Sequence, residues 1–326
     1  MRKKLKILLI VKRIYSSIMP GFFYKIRAFV FILLSSSFLI AQEKSLNLDS
    51  FIDEKVKEQN ITNVFCVYLK DIKSDKILYV YDKNNLGNSE LSLGSIIKIF
   101  SIIAKFKNHP VDIAETHFCN GYDENTPYVV KCWLREGHKK ISLIPAIANS
   151  CNTYFYYFVQ DIDFNLFIET LKEWKILKGS ENWGKKFISR EEQIMAMIGK
   201  MNILKLKPID IVESFAKIFM DKKRLQSEVR DVLFDGMRLC YQQGTASKVR
   251  KKLFLSTDFP VICKTGTGIF EENGKIDIKK TNGSFIGLLE NRYLVFVFVE
   301  NSTGAEKPTE IGLSILREVN SMGKED

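Results

Sequence analysis

Strand-forming sequence sits at the two ends of this chain's body, and that separation limits the fold more than any other feature. From Asn63, NVFCVYLKD and KILYVYD are runs rich in β-branched and aromatic residues, with Lys73-Ser74-Asp75 as a turn, and they predict a hairpin. The next strand patterns are PVICKTGTGIF at 260–270, SFIGLLEN at 284–291 and RYLVFVFVEN at 292–301. Between them the apolar spacing is helical. It runs from Ser92 to about Lys107, through SLIPAIANSCNTYFYYFVQ as helix, break and helix, and over 164–240, where Pro208 opens PIDIVESFAKIF at a first turn. A last helix is predicted from about Pro308 to Val319. Two opening strands, a helical middle, three closing strands and a last helix suggest one sheet in which the two ends of the body meet. The expectation is an α/β (α+β) fold, with a central antiparallel five-stranded sheet flanked by helices plus an all-helical subdomain. Residues 108–140 are irregular, and they hold all three histidines and two of the six cysteines. No internal repeat, low-complexity tract or second folded domain is visible.

The formal charge of +11 invites a nucleic-acid or anionic-membrane partner, but its distribution argues against nucleic acid. Eight of the 49 basic residues and none of the 38 acidic ones lie in residues 1–41, which leaves 41 against 38, or +3, for the rest. After Lys25 and Arg27 comes AFVFILLSSSFLIA and then polar QEKS, the pattern of a secretory signal with cleavage after Ala41. The apolar run is short of the roughly 20 residues that span a bilayer comfortably. The expected organisation is a signal peptide or membrane anchor over 1–41, a linker or short helix over 42–60 and the folded domain over 61–326. The body is then exported, either periplasmic or anchored to the outer face of the cytoplasmic membrane.

Three short motifs follow one another in the body: Ser95-Ile96-Ile97-Lys98 at the start of a helix, Ser150-Cys151-Asn152 at a helix break, and Lys264-Thr265-Gly266-Thr267-Gly268 on the first closing strand. Singly they say little, and Ser-x-Asn recurs at Ser45-Leu46-Asn47 and Ser180-Glu181-Asn182. Their order and placement carry the signal. Ser95 and Lys98 share a helical face. A serine hydroxyl needs a base to become a nucleophile, and a lysine serves as one only when apolar surroundings and other cations lower its pKa. Ile96, Ile97, Ile99 and Phe100 supply the apolar setting and Lys264 the second cation. Ser150 is placed to relay a proton between the lysines and a leaving nitrogen, and the Asn152 amide to hold a substrate amide. Gly266 and Gly268 let a substrate backbone lie along the strand, while Lys264, Thr265 and Thr267 suit a substrate carboxylate. The backbone N–H groups of Ser95 and Thr267 form the expected oxyanion hole.

These motifs, together with CWLREGH at 132–138, SCNTYFYYF at 150–158, MIGKMNILKLKP at 197–208 and GTA at 244–246, make the chain resemble the penicillin-binding transpeptidase domain. The resemblance runs from about Asn63 to the C-terminus and is to class B members. It implies a β-lactamase/transpeptidase-like fold and acyl transfer on the D-Ala-D-Ala end of peptidoglycan stem peptides, through an acyl-serine at Ser95. It also implies β-lactams as inhibitors and a cell-wall glycosyltransferase as a partner. Class B members carry a large N-terminal module, and only about twenty residues separate this leader from the first strand. Catalysis on this reading needs no cofactor.

A second group of residues lies between the first two motifs. Cys119, Cys132, His138 and Cys151 have the Cys₃His make-up of a closed structural zinc site. Their spacing is wider than a zinc finger's, and a Cys119–Cys132 disulfide or free thiols are the alternatives. The resemblance favours Zn2+, because some elongation-type class B transpeptidases hold zinc at such places. Cys66, Cys240 and Cys263 read as core residues, the aromatic run TYFYYF as packing behind the second motif, and Thr245 as plain connector. His109 and His117 have no evident role, although His117 is a substitute ligand.

A serine β-lactamase on the same fold is the nearest rival and would need a water-activating carboxylate, for which Glu181 in GSENWG is the candidate. A D,D-carboxypeptidase shares the chemistry. A non-catalytic penicillin sensor shares every motif but usually carries a transmembrane signalling region.

Overall fold

The computed structural model describes residues 48–58, 65–124, 126–127, 130–177, 189–200, 204–221, 224–272 and 275–322. The leader 1–41 and Glu181 lie outside them. Within the stretch read as linker or short helix, residues 48–58 are helical (α1). The sheet, the helical middle and the site between them all belong to the unit Lys55–Asp326.

The predicted hairpin forms as β1 (Phe65–Asp71) and β2 (Lys76–Tyr81). The closing strands are β5 (Val261–Glu272), β6 (Lys275–Leu289) and β7 (Tyr293–Val299), after a short ribbon of β3 (His117–Cys119) and β4 (Lys139–Ile141). The five long strands make one antiparallel sheet in the order β2-β1-β7-β6-β5. The ends of the body meet where β1 pairs with β7, from Phe65 opposite Val299 to Asp71 opposite Tyr293. The expected sheet is the one observed.

Alternation along β6 and β7 assigns the two faces. Leu294, Phe296, Phe298, Ile286 and Leu288 pack with the helical middle of the chain. Their alternates Val295, Val297, Val299 and Phe285 are as deeply buried, on the opposite face. Phe285 there meets Gly312 of α10 (Lys307–Met322), the closing helix. Both faces of β7 are covered, which is why YLVFVFV is a continuous apolar run rather than an alternating one.

The middle holds α2 (Lys98–Asn108), α3 (Leu143–Asn149), α4 (Asn152–Phe158), α5 (Phe164–Glu173), α6 (Arg190–Met197), α7 (Pro208–Met220), α8 (Ser227–Gln242) and α9 (Ser247–Lys252). Several starts have a local cause. Asp163 caps α5 by accepting from Asn165 and Leu166 N–H groups, Ser189 and Glu192 close a capping box on α6, and Pro208 fills the first turn of α7. Helix α2 is buried nearly all round, with Ile99, Phe100, Ile102 and Ile103 at 3% exposure or less, so it runs through the core. That burial places Lys98 away from water.

The β3–β4 ribbon is a departure from the sequence reading of 108–140 as irregular. Three-residue strands are too short to show a period, and its turns rest on Gly121 and Gly137.

Candidate active site

The nucleophile turn is a 3₁₀ segment, Gly94–Ile97, that runs into α2. It lies flat on β5. Gly94 has φ +59°, and a Cβ there would sit 2.2 Å from the carbonyl oxygen of Thr267, so only glycine fits. From the strand side, a Cβ on Gly266 would meet the Leu93 carbonyl at 2.2 Å and one on Gly268 the Ser92 carbonyl at 2.0 Å. The strand glycines thus make room for the turn that carries Ser95. The Leu93 carbonyl also accepts from Ser284 Oγ at 2.9 Å, pinning the turn to β6. Among the described residues β5 is the last strand of the sheet, and no strand pairs with its outer edge.

The second motif is the break between α3 and α4. Ser150 takes the left-handed conformation (φ 53°) and ends α3, and Asn152 opens α4. This kink turns both faces of Ser150 toward lysines. Lys98 Nζ donates to the Ser150 carbonyl oxygen at 3.1 Å and to Asn152 Oδ1 at 2.8 Å. Lys264 Nζ donates to Ser150 Oγ at 2.9 Å and to the Thr265 carbonyl at 2.7 Å. Asn152 Nδ2 donates to the Lys131 carbonyl at 3.0 Å. All three motifs therefore converge, and the hydrogen bonds of Lys98 go to the second motif rather than to Ser95 Oγ. The Asn152 amide is engaged at both ends, with one N–H and one lone pair left over.

Both lysines are fully buried. Burial pushes the Lys98 amine well below its ordinary range, and the positive charges of Lys264 and Lys200 push it further. Its Nζ lies 5.1 Å from the centre of the Phe155 ring, so the TYFYYF run walls the amine as well as filling the core. Burial lowers Lys264 to about 8, with Cys240 and Cys263 opposing. A neutral lysine beside a serine is what the chemistry needs.

Ser95 and Ser150 open onto a cleft of about 690 Å³ that Asn152, Thr245, Thr265 and Thr267 also line. Thr265 Oγ1 lies 2.6 Å from Thr245 Oγ1, which lies 3.2 Å from Cys240 Sγ. Thr267 Oγ1 accepts from the Gly304 N–H at 3.1 Å. Thr245 is thus more than connector: it braces a strand hydroxyl across 20 residues of sequence, a link only the fold creates. Trp133 also borders the cleft, 57% exposed and donating Nε1 to the Asn149 carbonyl at 2.7 Å. Its only sequence signal was its place in CWLREGH.

The four ligand-type residues meet as well. One donor atom from each of Cys119, Cys132, His138 and Cys151 lies within 4.8 Å of every other. No disulfide joins any of the six cysteines, Cys119 and Cys132 included. His138 Nδ1 stands 3.7 Å from Cys119 Sγ and 3.3 Å from Cys132 Sγ. A tetrahedral ion with thiolate at ~2.3 Å and imidazole nitrogen at ~2.0 Å has an S···N edge of about 3.5 Å, so the donor set fits. Hydrogen bonding within the group, with His138 contributing, pushes Cys119 and Cys132 down, while the same sharing and burial push Cys151 up. His117 is elsewhere, stacked on Tyr157 at 5.4 Å. Cys240 and Cys263 are core residues as expected, with sulfurs 3.8 Å apart.

The family profile of the penicillin binding protein transpeptidase domain matches residues 53–318. No curated protein sequence matches the chain. Among solved structures, penicillin-binding protein PBP2 in its complex with MreC from Helicobacter pylori aligns with TM-score 0.69 and 16% identity, over 85% of this chain and 63% of that one. PBP2 of Pseudomonas aeruginosa, in complex with WCK 5153, aligns with TM-score 0.66 and 16% identity, over 83% and 76%. The transpeptidase domain of penicillin-binding protein 3 from Burkholderia pseudomallei aligns with TM-score 0.66 and 15% identity, over 82% and 89%. The chain therefore spans less than two thirds of the Helicobacter protein.

Proposed function

This chain belongs to the penicillin-binding protein transpeptidase domain family, and on that premise we propose that it is a serine D,D-transpeptidase of peptidoglycan stem peptides. The observation that carries the reading is the bridge at Ser150, whose carbonyl accepts from Lys98 and whose hydroxyl accepts from Lys264. Ser95 Oγ attacks the carbonyl between the two terminal D-alanines and gives its proton to the neutral amine of Lys98. The oxyanion is held by the N–H groups of Ser95 and Thr267. Ser150 passes a proton to the leaving D-alanine nitrogen, and its contact with Lys264 keeps the hydroxyl supplied. The C–N bond breaks, D-alanine departs and the acyl group stays on Ser95. An acceptor amine then attacks the ester, and its proton returns by the same route to restore Ser95. Thr265 and Thr267 bind the terminal carboxylate at the cleft, and Asn152 orients Lys98 while offering its remaining N–H to the peptide. Lys264, fully buried, acts through Ser150 and by its charge.

Cys119, Cys132, His138 and Cys151 would hold a structural zinc ion. Such an ion would tie the β3–β4 ribbon to the α3–α4 break one residue from Asn152. Its contribution is a fixed crosslink, and the reaction uses none of its chemistry.

The leader pattern supports export, and no helix among the described residues is long and apolar enough to cross a membrane. The Helicobacter neighbour is recorded in complex with MreC, and another neighbour, at TM-score 0.61, in a peptidoglycan synthase complex that coordinates polymerization and crosslinking. A glycosyltransferase partner is proposed by analogy.

The test is labelling with a fluorescent penicillin, followed by mass spectrometry of the adduct. The expected result is a persistent adduct on Ser95, lost in Ser95→Ala, and release of D-alanine from a stem peptide by the wild-type protein only. An adduct elsewhere, or none, refutes the reading. Rapid turnover of penicillin would make the protein a β-lactamase, and an adduct without D-alanine release would make it a sensor.

A further inference from the structure

Lys200 is a third lysine beside the nucleophile, half-buried where it lines the cleft, and burial lowers the pKa of its amine. None of the acyl-transfer steps uses it. Its position is tightly set. Helix α6 ends at Met197, whose carbonyl accepts from Ser101 Oγ of α2 at 2.6 Å, and the Lys200 N–H donates to the Met195 carbonyl at 2.8 Å. Between them Gly199, with φ +77°, lies so close to the nucleophile turn that a Cβ would stand 2.3 Å from the Gly94 carbonyl oxygen and 3.0 Å from the Ser95 nitrogen. The glycine presses this segment onto the Ser95 backbone and brings the next side chain, Lys200, to the cleft that Ser95 lines.

The Lys200 amine differs from those of the fully buried lysines. Lys70 pairs with Asp75 and Glu213, while Lys98 and Lys264 each have two hydrogen bonds. Among the described residues Lys200 Nζ has no hydrogen bond and no ion pair. Burial pushes its pKa down, opposed by Cys132, and its charge in turn depresses Lys98. A partly desolvated cation gains more from an incoming anion than a fully solvated one does. Lys131 and Lys248 at the rim of the same cleft are exposed, so the gain there is screened.

We propose that Lys200 is a specificity-determining residue of the cleft. It binds a carboxylate carried by the part of the acyl donor that precedes its D-Ala-D-Ala end, separate from the terminal carboxylate at Thr265 and Thr267. The inference rests on the transpeptidase reading and deepens it: the preferred donor is a stem peptide with a free, unamidated side-chain carboxylate.

The test compares acylation of Ser95 in the full chain by two penicillins, benzylpenicillin with a neutral side chain and carbenicillin with a carboxylate on the side chain. Second-order acylation rate constants are measured at fixed ionic strength. The ratio of carbenicillin to benzylpenicillin is expected to fall about tenfold in Lys200→Met and to be kept within about threefold in Lys200→Arg. Lys200→Met should also lose the preference for a stem peptide with a free carboxylate over its carboxamide, read as D-alanine release. An unchanged ratio in Lys200→Met overturns the proposal. So does an equal change in both rate constants, which would leave Lys200 only a through-space effect on Lys98. If neither penicillin acylates Ser95 in the wild type, the transpeptidase reading fails first and this inference with it.

Discussion

Replacing Lys264 by methionine should remove a pH-dependent part of the protein's stability whose size follows from the burial of one amine. The side chain is fully buried, and its pKa falls from the ordinary 10.5 to about 8. Below pH 8 Lys264 is an ammonium in both folded and unfolded chains, and the folded state bears the full cost of burying it. Between about 8 and 10.5 the folded chain has released the proton and the unfolded chain still holds it. The unfolded state then binds more protons, so stability rises with pH through that window. At ~1.36 kcal/mol per unit, the interval corresponds to about 3 kcal/mol. Methionine has a similar length, keeps the apolar stem and cannot titrate. The assay is urea unfolding of wild type and Lys264→Met from about pH 7 to 10.5 at constant ionic strength. The quantity of interest is the difference between the two curves, because groups far from Lys264 titrate alike in both proteins and cancel from it, and only its neighbours Cys240 and Cys263 contribute alongside it. The wild type should gain about 3 kcal/mol on the variant across the window. Parallel curves, agreeing within ~0.5 kcal/mol, would refute the argument that burial rather than pairing sets this amine.

Three further outcomes are expected. Gly94→Ala forces a side chain into positive φ and against the Thr267 carbonyl, so calorimetry should show a loss of about 2–4 kcal/mol and penicillin labelling should fail even in folded protein. Thr245→Val removes the hydroxyl 2.6 Å from Thr265 Oγ1, and stopped-flow acylation should slow about tenfold while Tm moves by less than ~3 °C. The purified chain should carry one zinc ion by elemental analysis, lost in Cys132→Ala, and a chelator should lower Tm. A metal-free protein whose Tm ignores chelator would count against the proposed zinc site.

How much of this was legible in the sequence depended on the range of the interaction. The strand runs at 65–81 and 261–299 and the helical middle follow from local periodicity, and the order of those elements suggests that the ends meet in one sheet. The nucleophile trio was legible too, because its residue types are rare in that order and each sits at a recognisable element boundary. Other features left no local trace. The β3–β4 ribbon is too short for a period, and the link from Thr245 to Thr265 joins α8's end to β5 across a gap that spacing does not encode. Gly266 and Gly268 read as room for a substrate strand, yet what fills that room is the chain's own Ser92 and Leu93. Lys200 looked like one basic residue among many.

The sequence by itself determined the sheet's membership, the order of the three motifs and the kinds of chemistry on offer. Each of those depends on neighbours within a few turns of chain or on residue type alone. Only the tertiary structure decided which groups touch. It set Ser150 between two lysines that lie 166 positions apart in the numbering and brought four metal-type donors within 4.8 Å. It also left the half-buried amine of Lys200 at the cleft without a partner among the described residues. The physical reason is that proton affinity and ligand geometry are properties of burial and distance. Both are decided when helices close on a sheet, after local pattern has done its part.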